Sequence, residues 1–420
     1  MVVSTIASMR LATRSHPSFL PLLPEARALA PLMSLAAELV REAHRLGAQA
    51  RPLTPALAPL LRAMNSYYTN KIEGQHTRPY DIERALVKDF DADQGQAAKQ
   101  RLALAHIDAE VQLEAATRAS SAELFEASFV QDIHRALYQR LPEADRTTKD
   151  HLVVVPGAWR QALVTAGKHT APPAEDIPRL LASWAEFYSS LPGIEQRIIG
   201  AACSHHRLLW VHPFLDGNGR TARLHTHLVF VQLGLSHGVW SPLRGMARAH
   251  EEYYARLANA DLPRRNDLDG RGSLSQEELC KFASWLIELC IDQVQFMRKL
   301  LELTHFKVRI HDLLQWLAAH PWDIGVERSV VKLEALEAVH YVALTGSLER
   351  ARFLAMTGLP PRTARRVLAS LLDFGLLVAT GPRAPVSFNI PLASLRFLFP
   401  RLWPEAEHAG PEAEPQATAQ

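Results

Sequence analysis

Leucines and alanines recur every three or four residues through positions 26–65, as in Leu29, Leu32, Leu35 and Leu39, the pattern of an amphipathic helical arm. Similar spacing predicts helices over Pro79 to Lys88, Ala97 to Ala116, Ala122 to Arg140 and Ile177 to Leu191, with Pro and Gly marking the breaks. One interruption differs. From His151 to Val164, β-branched residues surround a Pro-Gly turn, which predicts a β-hairpin. Between Ile194 and Gly234 two helices flank a loop holding Pro213 and Gly217 to Gly219. Past Asp292 a long helical stretch leads into Ser347 to Ile390, where two short helical patterns flank Thr357-Gly-Leu-Pro-Pro361 and an extended tail follows, the order of a winged helix-turn-helix. The prediction is a mainly α protein.

Composition agrees with that picture. Hydrophobic residues make up 48% and charged residues 21% of the 420 positions, while aromatics are only 7% and β-branched runs are sparse. A chain this long divides into two or three domains. The net charge of +2 creates no global field toward nucleic acid or anionic membrane, so such binding needs a local patch. Three cysteines, Cys203, Cys280 and Cys290, form no CxxC pair and read as buried thiols of a reducing compartment. Met1 to Pro24 lacks a secretory pattern, and the apolar window Leu224 to Leu235 is broken by His225, His227 and Gln232. A cytoplasmic protein without a membrane partner is expected.

The richest chemistry lies in His212-Pro-Phe-Leu-Asp-Gly-Asn-Gly-Arg-Thr-Ala-Arg223. Gly217 and Gly219 permit close backbone approach where a helix begins, so free N–H groups and the helix dipole face an anion. Asn218 can offer its amide, and Arg220 and Arg223, three apart, project from one helical face. Asp216 supplies the hard oxygen that a phosphate-bound magnesium ion prefers, and His212 can serve as a neutral base. The plainer reading is a tight turn, a capped helix and solvated arginines.

Taken together, this run resembles the Fic active-site pattern His-x-Phe-x-Asp/Glu-Gly-Asn-Gly-Arg-x-x-Arg at every fixed position. The resemblance implies that His212 deprotonates a target hydroxyl, that Asp216 holds Mg2+, and that Gly217, Asn218, Gly219, Arg220 and Arg223 bind the phosphates of ATP. Phe214 matches the family phenylalanine and should anchor the loop in the core. Thr69-Asn-Lys-Ile-Glu73-Gly74 resembles the family's inhibitory pattern, here upstream of the loop, so Glu73 is expected to pair with Arg223 and block the γ-phosphate grip. The bland alternative is a helix end stopped by Gly74. In some relatives the same glutamate is implicated in removing AMP. Gly157 through Lys168, with Trp159, Arg160, Gln161, Ala162 and Leu163, resembles the flap whose edge pairs with a target segment; a structural hairpin with Trp159 in the core is the alternative.

Two lookalikes are set aside. Asp267 to Glu278 matches much of a calcium-binding loop, but Arg271 puts a cation where an oxygen ligand belongs. His205, His206, His212, His225 and His227 could suggest zinc but lack an evident carboxylate or thiol companion. The C-terminal stretch Ser347 to Arg383 is locally basic, with six arginines (350, 352, 362, 365, 366 and 383) against Glu349 and Asp373. Pro360 to Phe374, carrying Arg362, Thr363, Arg365 and Arg366, would be its recognition helix.

The expected organisation is an N-terminal helical region over 1–95 carrying the inhibitory helix near 64–74, a Fic-type helical bundle with a β-hairpin flap over 96–300, a winged helix-turn-helix over 301–400, and a disordered tail over 401–420. The expected activity is transfer of AMP from ATP, with Mg2+, to a Tyr, Ser or Thr hydroxyl of a protein, the chain itself included. DNA and a second copy in a homodimer are further candidate partners. The alternative is a transcriptional regulator that senses nucleotide and binds DNA through the C-terminal module.

Overall fold

The computed structural model describes residues 19–407 apart from 76, 120–122, 168 and 326. The expected arm over 26–65 is two helices, α1 (Ala26–Ala50) and α2 (Thr54–Ile72), separated by a 3-10 turn at Arg51–Leu53. The break has a local cause. Pro52 and Pro55 bring no backbone N–H to this point, so the chain restarts, with proline tolerated in the first turn of α2. Then come α3 (Pro79–Leu86), α4 (Gln94–Ala119) and α5 (Ala127–Tyr138).

The hairpin lies C-terminal to its expected place. Strands β1 (Thr165–Ala166) and β2 (His169–Thr170) pair antiparallel around Gly167, whose φ of 61° suits glycine. Residues 151–164 are extended but irregular, with a single bridge from Val153 to Thr147. Helices α6 (Ile177–Ser189), α7 (Ile194–Val211), α8 (Asn218–Gln232), α9 (Pro242–Arg248), α10 (His250–Ala260) and α11 (Gln276–Leu300) complete the central bundle. In it α8 is buried along most of its length and packs against α4, α5 and α7.

After α12 (Leu303–Ala319) a small second hairpin forms from β3 (Asp323–Ile324) and β4 (Glu327–Arg328). Then follow α13 (Leu336–Thr345), β5 (Ser347–Leu348), α14 (Arg350–Met356), α15 (Pro361–Asp373), β6 (Leu377–Val378) and β7 (Val386–Phe388), the strands forming an antiparallel sheet in the order β5-β7-β6. Short helices α16 (Leu395–Leu398) and α17 (Pro404–Glu407) end the described chain. The expected disordered tail therefore starts too early. Leu402 and Trp403 are buried and tie residues 401–407 to the bundle, while positions 408–420 lie outside the described residues, as do 1–18 and Lys168. No helix among the described residues is long and apolar enough to cross a membrane.

Beneath α8 the histidines do have carboxylate companions, contrary to expectation. His227 Nε2 lies 2.9 Å from Glu114 and 3.6 Å from Glu110, all three fully buried between α4 and α8. Arg62 and Arg118 grip the other oxygen of Glu114 at 2.7 and 3.2 Å, and Asn65 donates to Glu110. The arginines already neutralise Glu114, so the group serves as an internal ion-pair network. Burial pushes Glu110 up to about 7. Burial would also raise Glu114, but the hydrogen bond from His227 and the pairing with Arg62 outweigh it and hold that carboxyl down to about 2.

Removing one partner leaves an uncompensated buried charge, so Glu114→Ala should cost about 3–5 kcal/mol in urea unfolding. Because the folded pKa of Glu114 lies below its unfolded value of roughly 4.3, its contribution is present above that value and is lost as pH falls toward 2. The wild type should lose stability across that window more steeply than Glu114→Gln; parallel pH curves for the two would contradict this.

Candidate active site

The chain reverses between α7 and α8 through residues that accept unusual backbone angles. His212 caps α7 with φ 48°, and Gly217 opens α8 with φ 78°. A Cβ on Gly217 would come within 2.5 Å of the Tyr138 hydroxyl, so the position requires glycine for space as well as for conformation. The N-terminus of α8 has no side-chain cap at Gly217, and the positive end of the helix dipole lies beside Asp216.

Beneath the loop runs a ladder of rings. Phe214, fully buried, stacks on His134 at 3.9 Å with a 4° interplanar angle, His134 stacks on Tyr138 at 4.6 Å, and Trp159 packs on the other side at 5.0 Å. Burial pushes the His134 ring down to about 4, so it is neutral. Its Nδ1 accepts from the Gly157 N–H at 2.8 Å, which leaves Nε2 to donate to the Asp216 carbonyl at 3.2 Å. Tyr138 donates to the Asp216 carboxylate at 2.6 Å, and Arg220 binds both that carboxylate and the Tyr138 oxygen at 2.8 Å. Burial would raise Asp216, but Arg220 and Tyr138 keep it below the usual carboxylate range, and its side chain is still about half exposed.

His212 stands at the other end of the loop. Burial, aided by the positive charge of Arg160, drives its imidazole down to about 4, against a hydrogen bond with the Leu209 backbone that favours the protonated form. It is thus a neutral ring at physiological pH. Arg223 is buried, and its guanidinium reaches back to α2: Nε donates to the Thr69 hydroxyl at 2.8 Å, and Nη2 to the Thr69 carbonyl at 3.2 Å and to Glu73 at 2.5 Å. Glu73 sits at the C-cap of α2, where Gly74, with φ 70°, closes the helix through bonds from Gly74 to Lys71 and from Gln75 to Asn70. The helix-stop reading of Gly74 and the expected Glu73–Arg223 pair therefore hold together. A Cβ on Gly219 would lie 2.2 Å from the Glu73 carboxylate, so that glycine makes room for the pair at the mouth of the cradle.

Residues 124–230 match the family model described as Fic/DOC family. The chain carries a Fic domain. It is 26% identical over 196 residues to the protein adenylyltransferase Fic of Nematostella vectensis, covering 46% of this chain and 42% of that one. To the protein adenylyltransferase fic-1 of Caenorhabditis briggsae it is 34% identical over 111 residues, covering 25% of this chain and 20% of the relative. The chain thus spans less than half the length of either relative. The crystal structure of a Fic family protein from Desulfovibrio desulfuricans G20 superposes with a TM-score of 0.51 at 16% identity, covering 89% of this chain and 99% of that chain, which is a likeness of fold.

Within this Fic domain two of the expected site residues are engaged internally. Asn218 turns inward: its Oδ1 accepts from the Phe214 N–H at 2.9 Å and its Nδ2 donates to the Phe214 carbonyl at 2.8 Å, so the side chain cross-braces the loop instead of facing a phosphate. Arg160 is likewise internal. It binds the carbonyls of Ala162, Pro172, Val211 and His212 and cannot also face a target, whereas Gln161, Ala162 and Leu163 are exposed. Trp159 packs half-buried on Phe214, at the edge of the core and outside the hairpin. His134 and Tyr138 escaped the sequence reading. Their i, i+4 spacing on α5 marks them as one face of a helix, yet nothing in that spacing says which loop the face supports.

The calcium-like segment is a turn. Asp269 accepts from the backbone of Arg265 and Glu277 and from the Ser275 hydroxyl, while Arg265 holds Glu278 at 2.7 Å.

If Asn218 is a brace, Asn218→Ala strands two buried backbone groups of Phe214 and should cost about 2–4 kcal/mol in thermal or urea unfolding. A variant with unchanged stability but weakened nucleotide binding would assign Asn218 to the ligand instead.

Proposed function

We propose that this chain transfers AMP from ATP to a hydroxyl side chain of a protein, and that Glu73 restrains it. The observation that carries the reading is the convergence, on one loop, of a neutral imidazole at His212, an uncapped helix N-terminus at Gly217 to Gly219, and two buried guanidiniums. The target hydroxyl would give its proton to His212 as its oxygen attacks the α-phosphorus, the bond to the bridging oxygen breaks, and pyrophosphate leaves. Such chemistry depends chiefly on positioning and charge stabilisation, which this loop supplies. The half-exposed Asp216 carboxylate, anchored by Tyr138 and Arg220, fits a magnesium ion; bound there, the metal would neutralise phosphate charge.

The exposed residues Gln161 to Leu163, beside the β1–β2 hairpin, are the natural edge for a target strand. The Glu73–Arg223 pair supports restraint, because a γ-phosphate and the Glu73 carboxylate would compete for one buried guanidinium. With that pair opened, Glu73 has the chemistry to orient a water for AMP removal. The free thiols of Cys203, Cys280 and Cys290 suit a cytoplasmic setting. A domain boundary near 300 fits the end of α11 at Leu300, although residues 401–407 return to the bundle.

A second reading, nucleotide-linked DNA binding, is favoured by one feature. The sequence α13, β5, α14, α15, β6, β7 has a winged helix-turn-helix order, and α15 exposes Arg362, Arg365 and Arg366 opposite the buried face of Ala364, Val367, Leu368 and Leu371. Arg350 is not part of that surface, since it holds the carbonyls of Gly381 and Ala384.

The test uses α-labelled ATP with magnesium and reads self-modification. Glu73→Gly should raise labelling about 10- to 100-fold, the value of one charged hydrogen bond, and adding His212→Ala should lower it by about 10²–10⁴. No labelling in any variant, with nucleotide still bound, would favour the DNA-binding reading. Because burial lowers His212 to about 4, the base form is fully present above roughly pH 5 and is lost below it. The Glu73→Gly rate should be flat from about pH 6 to 8; an acid limb centred near 6.5 would contradict the buried base.

A further inference from the structure

The restraining helix α2 ends at its C-cap, Glu73, and the last turn of any helix is where intrahelical bonding is poorest and fraying begins. What holds Glu73 against Arg223 must then include contacts from outside the helix. One is local to the bundle, the Tyr254 hydroxyl on the Ile72 carbonyl at 3.3 Å. The others come from the far end of the chain. Glu405 accepts from Lys71 at 2.7 Å and from the Tyr68 hydroxyl at 3.1 Å, and the buried Trp403 ring packs 5.5 Å from Tyr67. Tyr67, Tyr68 and Lys71 occupy the same final turns of α2 as Thr69 and Glu73.

The segment that makes these contacts is fixed at both ends. Arg244, on α9, donates to the carbonyls of Arg401 and Leu402 at 2.7 and 2.9 Å and to Gln293 at 2.9 Å. Upstream, Phe399 packs on Phe306 at 5.6 Å, and Arg309 on α12 donates to the Leu398 carbonyl at 2.6 Å. A continuous path thus runs from the C-terminal module through 398–405 to the helix that bears Glu73.

We propose that residues 399–407 act as a strut by which the C-terminal module keeps α2 seated, so that displacing this segment from Tyr67, Tyr68 and Lys71 loosens the Glu73–Arg223 pair and raises AMP transfer. The inference rests on the reading of Glu73 as the restraint. It assigns the regulatory input to the C-terminal module. The Lys71–Glu405 pair is partly solvent-exposed, with side-chain exposures of 41% and 31%, which suits a contact made and broken at small cost.

The experiment uses the full chain and two readouts, hydrogen exchange of amides 70–75 and self-labelling from α-labelled ATP. Glu405→Gln should speed both about two- to fivefold, the effect of one such charged pair. Lys71→Glu should do the same or more, and the swapped double variant Lys71→Glu/Glu405→Lys should return both toward wild type, which general destabilisation would not. In a Glu73→Gly background, Glu405→Gln should leave labelling unchanged. If Glu73→Gly activates but neither the Glu405 nor the Lys71 variant changes exchange or labelling, the strut is overturned while the restraint stands. If exchange quickens but Glu73→Gly does not activate, the restraint reading fails, and the regulatory role of the strut fails with it.

Discussion

A guanidinium buried as deeply as that of Arg223 is costly to leave unpaired, and here its charge is met by a carboxylate. The rest of the site is arranged around which anion that is. Glu73 supplies one from α2, with Thr69 accepting from Nε and Nη2, and Gly219 leaves the space the carboxylate occupies. A nucleotide phosphate would supply the other. On the proposed reading, two anions competing for one cation would make a two-position switch in which only the last turn of α2 has to yield.

The loop itself is built to stay still. Asn218 braces Phe214 from above, the rings of Trp159, Phe214, His134 and Tyr138 support it from below, and Tyr138 with Arg220 fixes the Asp216 carboxylate. Arg160 holds the segment before the hairpin to the carbonyls of Val211 and His212. These contacts spend several polar side chains on preorganisation, which is how an electrostatic site avoids reorganising at the moment of reaction. Deeper still, the Glu110, Glu114, His227 and Arg62 network pins α2, α4 and α8 together, so the helix that bears Glu73 and the loop share one scaffold.

What was legible in the sequence was what the chain states locally. Glycines at 217 and 219, acid, histidine and arginines lie within twelve residues, so their convergence needs only a helix start. The Glu73–Arg223 contact was foreseen through family resemblance, since 150 residues separate the partners and no periodicity links them. Roles set by tertiary surroundings were not legible. Asn218 looked like a ligand donor because its partner is a backbone four residues earlier, and Arg160 looked like a surface residue because three of the carbonyls it binds, those of Pro172, Val211 and His212, lie 12 to 52 residues away in sequence. The hairpin was placed too early because Val153 to Val155 carry strand-forming side chains while the actual turn needs only Gly167. Leu402 and Trp403 were submerged in a Pro, Glu and Ala composition that looks disordered when averaged. His227 seemed unaccompanied because its carboxylates sit on another helix, more than a hundred residues away.

The central claim is that Glu73 and the terminal phosphate of ATP compete for Arg223. Calorimetric binding of ATP and ADP to the wild type and to Glu73→Gly, both carrying His212→Ala to prevent turnover, tests it directly. The account predicts that the wild type binds the two nucleotides about equally, and that losing Glu73 tightens ATP by about tenfold or more over ADP, the value of one charged hydrogen bond. An ATP-to-ADP preference that is the same with and without Glu73 would contradict it.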